Sequence, residues 1–214
     1  MFVPFAVIPF WVAYWSWLAL STLAFWSAVR RVASGWAVPL SMTAPHVVLA
    51  LILGQTSLIL GSLIIWGLSL VRERPLLAGI LLGAAAAVKP QSVLLAPVAM
   101  ISGGHWRTLV ASAAPLCAIV VISLALGPVL WRDWLESLGT FPQLLEVQRP
   151  FIFGATPWMA GRALGLDPSA LIVLQLCGVV VGVVACWYGF KSQDLGLRIC
   201  ALVAAGLLAS AYGM

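Results

Sequence analysis

The chain is a succession of apolar segments, at about residues 4–28, 37–53, 56–71, 75–88, 108–127, 168–190 and 195–214, parted by short charged or Gly/Pro-containing breaks. In lipid, each such segment has to satisfy its own backbone polar groups. The segments lack the short-range alternation of a membrane barrel, so they read as helices. With 63% hydrophobic and 8% charged residues and a mean hydropathy of +1.11, a soluble domain is excluded, because its surface would be apolar. The predicted fold is all-α: a polytopic helical membrane protein of about eight spans or half-spans, with residues 1–214 forming a single transmembrane domain.

The net charge of +5 is spread over the breaks without a basic run. It therefore speaks for orientation in a membrane and against nucleic acid as a partner. Cys117, Cys177, Cys186 and Cys200 each stand alone in an apolar segment and are expected to pack helices, with no metal site and no disulfide. The chain is apolar from Phe2 onward, without a charged n-region, and is still apolar where it reaches Met214. The expectation is a piece of a longer membrane module.

Taken in order, the first segment ends at Arg30-Arg31, a cytoplasmic stop under the positive-inside rule. The second contains Pro39 and Pro45 and is expected to be a kinked or broken helix, its freed carbonyls met by Ser41, Thr43 or a neighbouring helix. His46 follows Pro45 and is either a site residue or a neutral imidazole bonded to a carbonyl. Gln55 is expected at the end of the third segment opposite Arg72-Glu73-Arg74. Gly79 and Gly83 in the fourth have small-xxx-small spacing and predict close helix packing, as do Gly178 and Gly182.

The pivotal feature is Lys89, beside Pro90 and between two apolar stretches. A cation so placed is costly in lipid and marks a site with a partner, unless it snorkels to the interface. Residues 75–102 form either one helix kinked at Pro90 or two shorter helices turning at Lys89-Pro90. One helix would be about 42 Å long against a hydrocarbon core of about 30 Å. Charge counting does not separate the two. The hairpin puts Arg30, Arg31, Arg72, Arg74, Arg107, Lys191 and Arg198 inside. The kinked helix replaces the last three with Arg132, Arg149 and Arg162. Length favours the hairpin, as does the restriction on the residue before proline. Half-length helices need protein or a wet cavity around their ends, which itself argues for a site at Lys89.

Residues 128–167 form the one long polar stretch, expected as a non-cytoplasmic loop. Within it Trp131, Trp134, Leu135 and Leu138 fall on one helical stripe, with Arg132, Asp133 and Glu136 elsewhere on the helix, which predicts an interfacial helix.

The order of these features resembles that of GT-C glycosyltransferases, and most closely glycosyltransferase family 87, the bacterial polyprenyl-phosphate-mannose-dependent α-mannosyltransferases and relatives. The residues that carry the resemblance are Gly54-Gln55, Ala78-Gly79 with Gly83, Lys89-Pro90 and Trp106-Arg107. The opening VPFAVIPFWVAYWSWLAL resembles that family's second span, and the closing ALVAAGLLASAYG a later one. The resemblance implies an enzyme of the bacterial inner membrane that moves a hexose, in this family mannose, from a polyprenyl phosphate sugar donor to a glycolipid or glycan acceptor on the periplasmic face. Lys89 matches the family's phosphate-binding lysine. Gln55, Gln91 and His46 are the further substrate-binding candidates, no metal-ligating residue is assigned, and membrane lipids are the remaining partners.

The family's catalytic aspartate lies in a loop before its second span, and this chain opens at what resembles that span. The expectation is therefore an inactive chain as it stands. Of the carboxylates on the outer side, Asp133 and Glu136 read as solvated charges, while Glu146 and Asp167 are no better placed, so no base is assigned. A transporter would also carry broken helices and a buried lysine, but should show an inverted repeat, and no second copy of the Gly-Gln to Lys-Pro pattern is present. A non-catalytic membrane subunit is the third reading.

Overall fold

A computed structural model describes residues 7–129, 131–137 and 156–210. The described residues are helical throughout apart from turns, in agreement with the all-α expectation. Among the described residues, three helices are long and apolar enough to cross a bilayer: α1 (Phe10–Val29), α7 (Trp106–Leu126) and α10 (Pro168–Gly189). Shorter apolar helices stand beside them: α4 (Ser57–Leu70), α5 (Pro75–Val88) and α11 (Leu195–Ala209).

The second apolar segment is broken, at Pro45 and not at Pro39, which lies within a helix. It consists of α2 (Ala37–Met42) and α3 (Pro45–Ile52), parted at Thr43-Ala44. Ser41 and Thr43 donate to the carbonyls of Val38 and Leu40, satisfying backbone near the break with their own hydroxyls. Residues 7–9 lie outside α1, so the first helix starts later than residue 4; Pro9 precedes its first turn. α7 begins at Trp106 instead of 108, which takes Trp106 and Arg107 into its first turn.

Residues 75–102 form the hairpin. Lys89 caps α5 at φ −150° and ψ 84°, an extended geometry that suits a residue preceding proline. A 3₁₀ turn (Pro90–Val93) follows, and α6 (Ala96–Ser102) returns to the end from which α5 started. α7 then runs parallel to α5. A Cβ on Gly79 would meet the Thr108 carbonyl and Ala111, and one on Gly83 would meet the Ser112 carbonyl and Pro115. The small-xxx-small pair is thus a backbone-to-backbone seam, and the order of its contacts fixes the parallel direction.

A similar device appears earlier in the chain with the opposite sense. The indole N–H of Trp17 donates to Gly54 at 3.1 Å, and Phe25 packs on Gly61, so α1 and α4 are parallel and the broken α2–α3 segment connects them. Gly67 of α4 faces Leu82 and Ala78 of α5, which makes those two helices an antiparallel pair. The two units, α1 to α4 and α5 to α7, therefore run in opposite directions, an arrangement that the sequence does not disclose.

α10 and α11 complete the bundle, with Gly178 against the Leu208 carbonyl and Gly182 against that of Ala205. The short α9 (Pro157–Ala163) is tied to them: Gln175 accepts from the Trp158 N–H at 3.2 Å and donates to Leu208 at 3.0 Å. Residues 131–137 (α8) are helical. Trp131 and Trp134 stack edge-on at 5.9 Å, and Arg132 pairs with Asp133 and Glu136 at 3.9 and 3.7 Å. Leu138, Glu146 and Arg149 lie outside the described residues.

One expectation needs correction. Cys186 is buried and its thiol faces the Leu95 carbonyl at 3.6 Å, but Cys117, Cys177 and Cys200 are exposed on the outer surface. A thiol is apolar enough to face lipid, so its presence in an apolar segment does not place it at a packing seam. All four are free.

Candidate functional site

The two ends of the bundle differ in kind. One gathers cations. Arg72 and Arg198 lie within electrostatic reach of His105, Arg74 and Arg107 border one hollow, and Lys191 sits over the rings of Trp187 and Tyr188. Arg198 is 5% exposed, donates from Nε to the Ser192 carbonyl at 2.8 Å and stacks over Phe190. These are the residues that the hairpin topology assigns to the inside, apart from Arg30 and Arg31, which end α1 at Ile65 and Trp66, near the C-terminus of α4.

Lys89 stands toward the other end. α5 has 14 residues, so it carries Lys89 about 21 Å from its arginine-bearing start, short of the about 30 Å hydrocarbon thickness. The lysine is half-buried. A cavity of about 240 Å³ opens there between α4, the 3₁₀ turn and α11. Its polar lining is Lys89, Gln91, Ser57, Ser92 and Ser210, and its apolar wall includes Leu60, Ile64, Val203 and Leu207.

Local sequence explains the shape. Proline forbids Lys89 from continuing the helix, and its N–H still closes the last turn on Ala85 at 2.9 Å while its carbonyl accepts from Ser92 at 3.1 Å. Gly206 of α11 lets the turn approach: a Cβ there would sit 3.3 Å from the carbonyl oxygens of both Gln91 and Ser92. Gly61 opens the α4 side.

Of the residues singled out from sequence, Lys89 and Gln91 are brought together. Gln55 is adjacent to the cavity and not part of its lining; its Oε1 accepts from the hydroxyl of Ser57, which is, at 3.2 Å. His46 is exposed near the start of α3 and outside that lining. Ser92, Ser57 and Ser210 were not singled out, although Ser92 follows the Lys-Pro pair by two residues and Ser210 belongs to the closing Ser-x-Tyr.

No carboxylate lines the cavity among the described residues, and Lys89 forms no ion pair there. Asp133 and Glu136 are spent on Arg132 at an exposed surface. Asp167 caps α10, accepting from the N–H groups of Ser169 and Ala170 and from the Ser169 hydroxyl, which together hold its carboxyl below the ordinary range. Asp194 caps α11 by accepting from Leu197 at 2.6 Å. No group of three or more metal-ligating side chains occurs among the described residues. A half-buried, uncompensated ammonium beside an amide and three hydroxyls can bind an anion and hydrogen-bond a polyol, and the apolar wall can hold a lipid chain.

Comparison with known proteins gives one result. The family model described as Glycosyltransferase family 87 matches residues 1–211. No curated protein and no solved structure matches the chain.

Proposed function

We propose that this chain, which belongs to glycosyltransferase family 87 and so to a family of membrane glycosyltransferases, uses Lys89 to hold the phosphate of a polyprenyl phosphate sugar. The observation that carries this reading is the ammonium itself: half-buried, without a carboxylate partner among the described residues, and lining a largely apolar cavity. The donor is a polyprenyl phosphate hexose, mannose by the family resemblance. The acceptor is a hydroxyl of a glycolipid or glycan. The positive-inside rule puts the arginine end in the cytoplasm, so the cavity opens toward the periplasmic side of a bacterial inner membrane.

In the transfer, the bond from the anomeric carbon to the phosphate oxygen breaks and a bond to the acceptor oxygen forms. The acceptor proton passes to a base, and the phosphate leaves with the electron pair. Lys89 stabilises that growing negative charge as a compact cation, worth most where water is scarce. Gln91, Ser57 and Ser92, which line the same cavity, would hydrogen-bond phosphate or sugar. The base must be a group other than the described carboxylates near the cavity, since there are none.

Opposed units such as α1–α4 and α5–α7 are what a transporter would show, and they favour that as the second reading. One assay separates the two. Lys89→Ala should abolish sugar transfer from a polyprenyl phosphate mannose donor while expression and melting temperature hold. Unchanged turnover removes Lys89 from the site, and substrate flux across vesicles without transfer would establish the transporter.

A further inference from the structure

At the arginine end, the parallel seam of α5 and α7 has a consequence unrelated to the cavity. Arg74 precedes the first turn of α5, and Arg107 lies in the first turn of α7, more than thirty residues later in the chain. Gly79 on Thr108 sets the helices side by side at matching height, so Arg74 and Arg107 both border one shallow, apolar hollow floored by Pro75, Leu76 and Leu77. Leu76 is 64% exposed, and Trp106, next to Arg107, is 57% exposed.

Neither arginine forms an ion pair among the described residues, although Glu73 is the chain neighbour of Arg74. Two unpaired guanidinium groups over an apolar floor suit a ligand with a phosphate at one end and hydrocarbon below it. An exposed tryptophan at the same height marks the headgroup level of the bilayer. Basic hollows between helices at this depth recognise phospholipid headgroups, and arginine forks match phosphate oxygens.

We propose that Arg74 and Arg107 form a binding site for one anionic phospholipid, the two guanidinium groups holding its phosphate and an acyl chain lying on Leu76 and Leu77. The site is at the opposite end of the bundle from Lys89 and is independent of the transfer reaction. Its occupant is a membrane lipid and not free phosphate, because the floor is apolar.

The test is native mass spectrometry and thermal shift on the full chain, extracted into phosphatidylcholine nanodiscs with and without phosphatidylglycerol. The expected result is one retained phosphatidylglycerol and a melting temperature raised by that lipid alone. Arg107→Gln should weaken retention about fivefold and the Arg74→Gln, Arg107→Gln pair about 25-fold, as two surface cations predict. Excess inorganic phosphate should not displace the lipid; displacement would identify a free-phosphate site and overturn the proposal. Arg132→Gln, at the remote surface helix, serves as the control. Equal retention in the double variant, or equal retention of phosphatidylcholine, would also overturn it. Both arginines are exposed, so the variants are expected to fold, and an unshifted melting temperature in phosphatidylcholine alone checks this.

Discussion

Gly83 of α5 lies against the Ser112 carbonyl of α7, one helical turn beyond the point where Gly79 meets the Thr108 carbonyl. This seam decides the geometry of everything around it. It makes α5 and α7 parallel, forces residues 89–105 to travel back across the bundle, and so separates Lys89 from Arg107. With a bulkier residue at either glycine the two backbones could not touch.

Gly79→Val and Gly83→Val should therefore each cost about 2–3 kcal/mol, since the added atoms meet main chain, which cannot rotate away. The measurement is unfolding of the purified protein in mixed micelles. A loss below about 0.5 kcal/mol, the range of ordinary surface changes, would mean that the seam is not as described.

The hairpin predicts opposite accessibility for two residues only sixteen positions apart. In a background lacking the exposed Cys117, Cys177 and Cys200, a cysteine replacing Gln91 should react with a membrane-impermeant maleimide added outside the cell. A cysteine replacing Arg107 should react only after the membrane is opened. Outside labelling at position 107 would refute the topology.

Gly206 is the point at which α11 permits the 3₁₀ turn to shape the cavity. Gly206→Leu should fill the space beside Lys89 and weaken binding of a short-chain polyprenyl phosphate at least about tenfold, a difference of about 1.4 kcal/mol. Binding measured by calorimetry in detergent checks this. Undiminished affinity, with the protein still folded, would place the phosphate elsewhere.

His105 leads to a pH prediction. It lies in the turn between α6 and α7, where burial first, and then Arg198 and Arg72, push its imidazole below the ordinary value of 6.5. Its Nε2 is buried without a hydrogen-bond partner. The folded protein thus resists a proton that the unfolded chain accepts. The stability is fully present above pH 6.5 and is lost as the pH falls below it. Melting temperature should drop between about pH 7 and pH 5.5, before carboxylates titrate, and His105→Gln should flatten that slope. An identical slope in the variant would assign the effect to another group.

How much of this was legible beforehand differs by level. Pro45 announced the break between α2 and α3, and Pro90 the end of α5, because proline acts on its own backbone whatever surrounds it. The segment ends at Arg30 and Arg72 were equally plain, and so was the packing role of Gly79 and Gly83. The partner of those glycines was not, since a small-xxx-small pair tells only that something comes close. The cysteines misled because lipid accepts the same residues that a packed interior does. Gln55 and His46 looked alike as polar residues in apolar surroundings. Only the packing of α4 showed that Gln55 touches a lining residue and that His46 does not.

By itself, the sequence determined that the chain is a helical membrane protein whose helical run is interrupted at Lys89-Pro90 between apolar stretches, because hydropathy and proline stereochemistry are properties of short stretches. The tertiary structure alone decided between a kinked helix and a hairpin, since both put seven cations on the same side. That choice rests on which backbone Gly79 and Gly83 touch, a contact between residues about thirty positions apart that no local pattern encodes.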